Sequence, residues 1–126
     1  MDKIIKKIPM TKQQESVYFS SVSDMQMIAY NLPMSAEFDE DTDIERLKKA
    51  LKRFLDRHDA FRTAFIEEDG NVLQVLCEKK DNDIPLEEIP DEKLSQRFTE
   101  FVQPFDLTCA PLARFLIIKT DTKTVL

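Results

Sequence analysis

Ile44, Leu47, Leu51, Phe54 and Leu55, with His58 one step on, recur at three- and four-residue intervals. That spacing gathers side chains on one face of an α-helix, and it predicts a helix that packs this face on a sheet. Arg46, Lys48, Lys49, Lys52 and Arg53 fall mostly on the other side, as a solvated face would. The acidic run Glu37 to Asp43 leads in as a turn. Thr42 and Glu45 have the spacing of a capping box, and the acids sit where a helix N-terminus is partly positive. Beyond the helix, Phe61 to Ile66 and Val72 to Cys77 are short apolar-rich runs joined by Glu67-Glu68-Asp69-Gly70-Asn71. The chain's only glycine lies in that link, so the pair reads as a β-hairpin.

The flanks carry weaker patterns. Thr11 and Gln14 form a second capping-box pair ahead of a helix over 12–22, whose inner face holds Val17, Tyr18 and Val22. The second half of Met25 to Phe38 reads as a strand, with Pro33 near its start, at a bulge or on an edge because proline lacks an amide donor. Glu78 to Ile89 is polar, is interrupted by Pro85, and reads as an extended connection. A third helix follows over 91–103, with Leu94, Phe98, Phe101 and Val102 inward and Pro104 as its stop. Phe105 to Leu112 is a bend, Ala113 to Lys119 an apolar strand, and Thr124-Val125-Leu126 the start of another. The expected architecture is α+β, a mixed β-sheet flanked by about three helices, in one domain over 1–126. Ending on so short a strand, the chain looks cut in mid-sheet. The edge from Arg114 to Ile118 is then expected to stand open and to invite homodimerisation by sheet extension.

Composition narrows the function classes. With 42% hydrophobic and 33% charged residues in 126, the chain has the makings of a folded domain with a sizeable core. A formal net charge of −6 argues against a broad nucleic-acid or anionic-membrane surface, which needs dense Lys/Arg coverage. Cys77 and Cys109 are far apart and there is one histidine, so neither a zinc site nor a redox motif has a starting point. They read as two reduced thiols. No stretch has the length of a signal peptide or transmembrane span, and the cytoplasm is the expected location.

Three segments carry a resemblance. Arg57-His58-Asp59-Ala60-Phe61-Arg62-Thr63-Ala64-Phe65 is similar to the R-H-E-x-L-R-T-x-F core motif of peptide-synthetase condensation domains, departing at Asp59 and Phe61. Thr11 to Tyr18 is similar to their first motif, S-x-A-Q-x-R-L-W/Y, departing at Gln13 and Ser16. Pro104 to Arg114 resembles the F-D-L-x-x-x-P-L-x-R segment. The resemblance implies half of a chloramphenicol-acetyltransferase-like fold. It also implies a parent that forms amide bonds between groups held on the phosphopantetheine of donor and acceptor carrier domains. No cofactor is expected to bind this chain directly.

The family's catalytic histidine belongs to an HHxxxDG motif that these residues lack, so no catalytic residue is assigned and the chain alone is expected to be inactive. The resemblance makes Arg62 a brace for the catalytic loop through that motif's Asp, with His58 as further structural support. Gln14 and Tyr18 become lining of the tunnel between the two halves. Each also has a plain reading: His58 as a core or helix-end histidine, Arg62 paired with Asp59 or Glu67, Gln14 and Tyr18 as cap and packing. Alternatives of a different class are a non-catalytic carrier-binding or self-associating module, or part of an epimerisation, heterocyclisation or CoA-dependent acyltransferase domain.

Overall fold

The computed structural model describes residues 2–126 and divides its strands between two sheets. In chain order the elements are β1 (Ile4–Pro9), α1 (Lys12–Ser23), β2 (Glu37–Asp39), α2 (Ile44–Arg57), a 3-10 turn (Asp59–Arg62), β3 (Thr63–Glu68) and β4 (Asn71–Cys77). They continue with β5 (Leu86–Glu88), a second 3-10 turn (Asp91–Lys93), α3 (Leu94–Phe101), β6 (Ile117–Lys119) and β7 (Lys123–Val125). One sheet has the order β1-β4-β3 and the other β2-β7-β6-β5. The second is mixed, because β5 runs parallel to β6 while the remaining pairs are antiparallel. The expected mixed α/β architecture with three helices thus divides its strands between two sheets, the first with one apolar cluster and the second with one on each face.

The hairpin β3–β4 follows from its turn. Asp69 and Gly70 take φ of 52° and 78°, the left-handed pair that a two-residue turn needs to match strand twist. The strands therefore run to Glu68 and Asn71, further than the apolar runs indicate.

Helix α2 buries Leu51 against Ile84 and Ile117, with Ile44, Leu47, Leu55 and Phe115 packed around them. Its cap differs from expectation. Asp43 is the N-cap, its Oδ1 accepting from the Arg46 amide at 3.0 Å, while the Thr42 hydroxyl donates to the Asp39 carbonyl at 2.7 Å. The turn from Asp39 to Thr42 engages the threonine, and the carboxylate one residue on is left to face the free amides. The Thr11–Gln14 capping box on α1 is present in both directions, at 3.1 and 2.8 Å. Tyr18 is the buried residue of α1, whereas Val17 and Val22 are exposed.

Two strands escaped the sequence pattern. β1 carries Lys6 and Lys7 within Ile4–Pro9, and it is accepted as an edge strand on β4, with a register shift between Ile4 and Lys6. β5 is built from Leu86-Glu87-Glu88 between two prolines and pairs with β6. Other elements are shorter than expected. The segment before α2 is extended in the sheet only at Glu37–Asp39, the third helix only at Leu94–Phe101, and the apolar run before Lys119 only at Ile117–Lys119. The proposed open edge is also corrected, since β6 lies inside its sheet with β5 on one side and β7 on the other. Its faces are both covered: Ile117 meets the α2 cluster, and Leu116 and Ile118 join Val125, Ile89, Leu94 and Phe101.

Arg97 on α3 grips Glu87 on β5 with two hydrogen bonds, 2.7 Å from Nε and 2.9 Å from Nη2. This bond holds the Glu87 carboxyl below its ordinary value near 4.5. A depressed folded-state value means that the pair stabilises the fold above the unfolded-state value and that this contribution disappears as pH falls through the folded one. Glu87→Gln is therefore expected to flatten the loss of melting temperature below about pH 4.5, seen by comparing thermal melts of the two proteins from neutral pH downwards.

Candidate functional site around Arg62

The segment Arg57 to Phe65 turns a corner. The helix stops at Arg57, His58 leaves helical geometry at φ −120° and ψ 104°, and its amide still donates to the Leu55 carbonyl at 3.4 Å. One 3-10 turn follows, and the chain then enters β3, tied back by the Thr63 hydroxyl donating to the Asp59 carbonyl at 3.0 Å. This path turns Arg62 inward while Asp59 stays at the surface. The Nη2 of Arg62 pairs with the Asp59 carboxylate, Nη1 donates to the Cys77 carbonyl at 3.4 Å, and Nε is buried without a partner. Cys77 is the partner the sequence reading missed, although the hairpin contained the signal. The two-residue turn sets Thr63 opposite Leu76, so Arg62 comes level with Cys77.

Arg62 lies on a cleft of about 490 Å³. Leu55 and Phe61 line it from the helix side, Cys77 from β4, and Pro111 and Phe115 from the bend before β6. That bend is the third of the resembling segments, and it is built to hold a shape. The Arg114 guanidinium stacks 3.9 Å over the Phe105 ring and donates to the carbonyls of Gln103 and Pro104 at 2.7 and 2.6 Å. Asp106 accepts from both the hydroxyl and the amide of Thr108, which lowers its carboxyl from the ordinary value. The Phe65 amide donates to the Leu107 carbonyl at 2.8 Å and so sews the bend to β3. Two segments about forty residues apart in sequence thus meet beside one arginine.

The remaining candidates stand elsewhere. His58 is exposed, not on a buried face, with its ring 4.7 Å from that of Phe54, which is itself 48% exposed. The helical stripe rotates out of the core by its last turn, so Phe54 and His58 lie at its rim. Gln14 makes its cap and donates to the Gln74 side chain at 3.2 Å. Tyr18 is buried between Phe19 and Phe65, with ring centroids 5.4 and 6.0 Å away. Burial first, then the charge of Glu67, raises its phenol. Neither residue lines the cleft of Arg62.

The chemistry the cleft offers is a cation with an unused donor in a part-apolar wall. Burial, then Asp2, pushes the Cys77 thiol up, which disfavours a nucleophilic thiolate. Cys109 is a free, exposed thiol. Among the described residues no group of three or more His, Cys, Asp or Glu could hold a metal ion, and no helix is long and apolar enough to cross a membrane.

Comparisons with known proteins give these features a family. The family model described as Condensation domain matches residues 4–126. Surfactin synthase subunit 2 of Bacillus subtilis (strain 168) is 33% identical over 115 residues, covering 91% of this chain and 3% of that protein. Bacitracin synthase 2 of Bacillus licheniformis is 29% identical over 113 residues, covering 90% and 4%. Among solved structures, a doubly substituted starter condensation domain of rhizomide synthetase superposes with a TM-score of 0.82 at 16% identity, over 95% of this chain and 31% of that one. The condensation domain of the Monacolin K polyketide synthase gives 0.81 at 19%, over 98% and 30%. These likenesses support the mixed α/β fold, and the chain spans only a small part of each relative's length. The cleft, the corner that supplies Arg62 and the bend that meets it are features of a chain that belongs to the condensation domain family.

Proposed function

We propose that residues 1–126 are one folding unit, the N-terminal portion of a condensation domain in a peptide synthetase. The parent joins aminoacyl, peptidyl or acyl groups carried as thioesters on the phosphopantetheine of carrier domains. The acceptor amine attacks the thioester carbonyl, a C–N bond forms, the C–S bond breaks and the thiol leaves. The observation that carries this reading is the family match over 4–126. Arg62 supports it locally, since its buried Nε has no partner and a buried guanidinium donor is costly to leave unmade. A carboxylate from the loop bearing HHxxxDG would complete it, with His58 supporting the corner from outside. Gln14 and Tyr18 contribute to one wall of the tunnel. The partners are the carrier domains and the rest of the condensation domain, and two free cysteines suit a reducing cytoplasm.

The test compares this chain with a longer polypeptide extended through an HHxxxDG segment, each given loaded donor and acceptor carriers. The chain alone is expected to form no amide product, having one histidine and no HHxxxDG. In the longer polypeptide, Arg62→Ala is expected to slow product formation by at least about tenfold while leaving carrier binding intact. Product from the short chain would overturn its assigned inactivity, and an unchanged rate in the variant would remove the bracing role.

A further inference from the structure

We infer that the outer face of α2 is a docking surface for an acidic protein partner. Arg46, Lys49, Arg53 and Arg57 are all exposed. At 100° per residue they fall within an arc of about 80°, along roughly 16 Å of helix. None of the four takes part in an ion pair among the described residues, although acidic side chains outnumber basic ones by 24 to 18. The other arginines are each engaged: Arg62 with Asp59, Arg97 with Glu87, and Arg114 with two carbonyls and the Phe105 ring. The neighbouring lysines on α2 are taken too, Lys48 reaching Asp83 at 4.0 Å and Lys52 reaching Asp81 at 3.0 Å.

Lys6, Lys12, Lys79, Lys93 and Lys119 are also exposed without an ion pair among the described residues, but they are scattered over other elements, whereas Arg46, Lys49, Arg53 and Arg57 share one helix face. The members of this stripe repeat at three- and four-residue steps, where like charges repel and weaken a helix. Glu45 and Asp56 stand one turn from Lys49 and Arg53 but form no ion pair with them, and Arg57 sits opposite the helix's C-terminal carbonyls. Carboxylates from outside would relieve the repulsion, and guanidinium groups hold them with paired donors. Exposed Ala50 and half-exposed Phe54 border the cations, giving the mixture of arginine and aromatic surface that recurs at protein interfaces. A net charge of −6 repels a uniformly charged polyanion such as nucleic acid at long range, so a local acidic patch on a protein is the better complement.

The experiment is an NMR titration of the full ¹⁵N-labelled chain with short poly-L-glutamate at low ionic strength. Shifts are expected at Arg46, Lys49, Ala50, Arg53, Phe54 and Arg57, fading as salt is added. The triple variant Arg46→Gln, Lys49→Gln, Arg53→Gln is expected to bind about tenfold more weakly. A control with Lys6→Gln, Lys12→Gln and Lys119→Gln removes the same charge from exposed positions off the stripe and is expected to bind like the parent. Shifts scattered over the surface, no shifts at all, or equal losses in both variants would overturn the inference. So would tighter binding of a short DNA duplex than of poly-L-glutamate at the stripe. The map on the unaltered chain stands even if a variant folds poorly.

Discussion

Ile117→Ala is expected to lower the free energy of unfolding by about 3 kcal/mol, read from the shift of the urea midpoint. Ile117 is 0% exposed, at the meeting point of Leu51 from α2 and Ile84 from the connection before β5. Truncating a buried isoleucine removes the transfer energy of its outer carbons and leaves a cavity, together costing about 2–5 kcal/mol. The site has little room to collapse, because β6 is held on both sides by β5 and β7. The β6 backbone cannot move inward without breaking one of those ladders. A loss below about 1 kcal/mol would show that α2 sinks into the space, and that its contact with the sheet is looser than the packing implies.

Thr124→Val is expected to act in the opposite direction, raising stability by about 1–2 kcal/mol. Thr124 is 0% exposed in β7, opposite Phe38 of β2 and Lys119 of β6. Its Oγ1 is buried without a hydrogen-bond partner. Folding strips water from that hydroxyl and returns nothing, whereas valine keeps the branched shape that suits a strand. Urea melts should show a higher midpoint at unchanged slope, since the surface exposed on unfolding is the same. Thr124→Ser supplies the contrast by keeping the hydroxyl and losing the methyl, and it should destabilise. If valine were the destabilising change, the hydroxyl would have to be bonded in solution.

These two strands also show where sequence pattern is informative and where it is not. Helix α2 and the β3–β4 hairpin were legible because their signals are local: a 3.6-residue period in one case, two short apolar-rich runs around the only glycine in the other. The Arg57 to Phe65 corner was legible as a motif, and Arg62 did find Asp59. β1 and β5 were hidden because their side chains are those of edge strands. Lysines and glutamates there carry no apolar alternation, and some of them form ion pairs such as Glu87 with Arg97 and Lys7 with Glu68, while the pairing that defines the strands comes from β4 and β6 far away in the chain. The position of β6 was misjudged for the same reason. An apolar run announces burial, but only the partners β5 and β7 show that its hydrogen bonds are closed. His58 was placed inward by extending the helical period through the last turn, where the helix had already rotated its face past the core.

The order of the second sheet has a consequence for how the chain folds as it is made. Every strand of the sheet β1-β4-β3 has left the ribosome once Cys77 is free, so its tertiary pairing can begin early. In the other sheet β2 has no neighbour but β7, and Glu37–Asp39 must wait for Lys123–Val125 to emerge. At typical rates of synthesis that interval is roughly 4–17 s. Through most of it, the apolar face of α2 lacks Phe115 and Ile117, which pack against it. Nascent chains halted once residue 80 has cleared the ribosome should therefore protect the hairpin from proteases and leave α2 open to them, a window in which a chaperone would find its longest exposed helix.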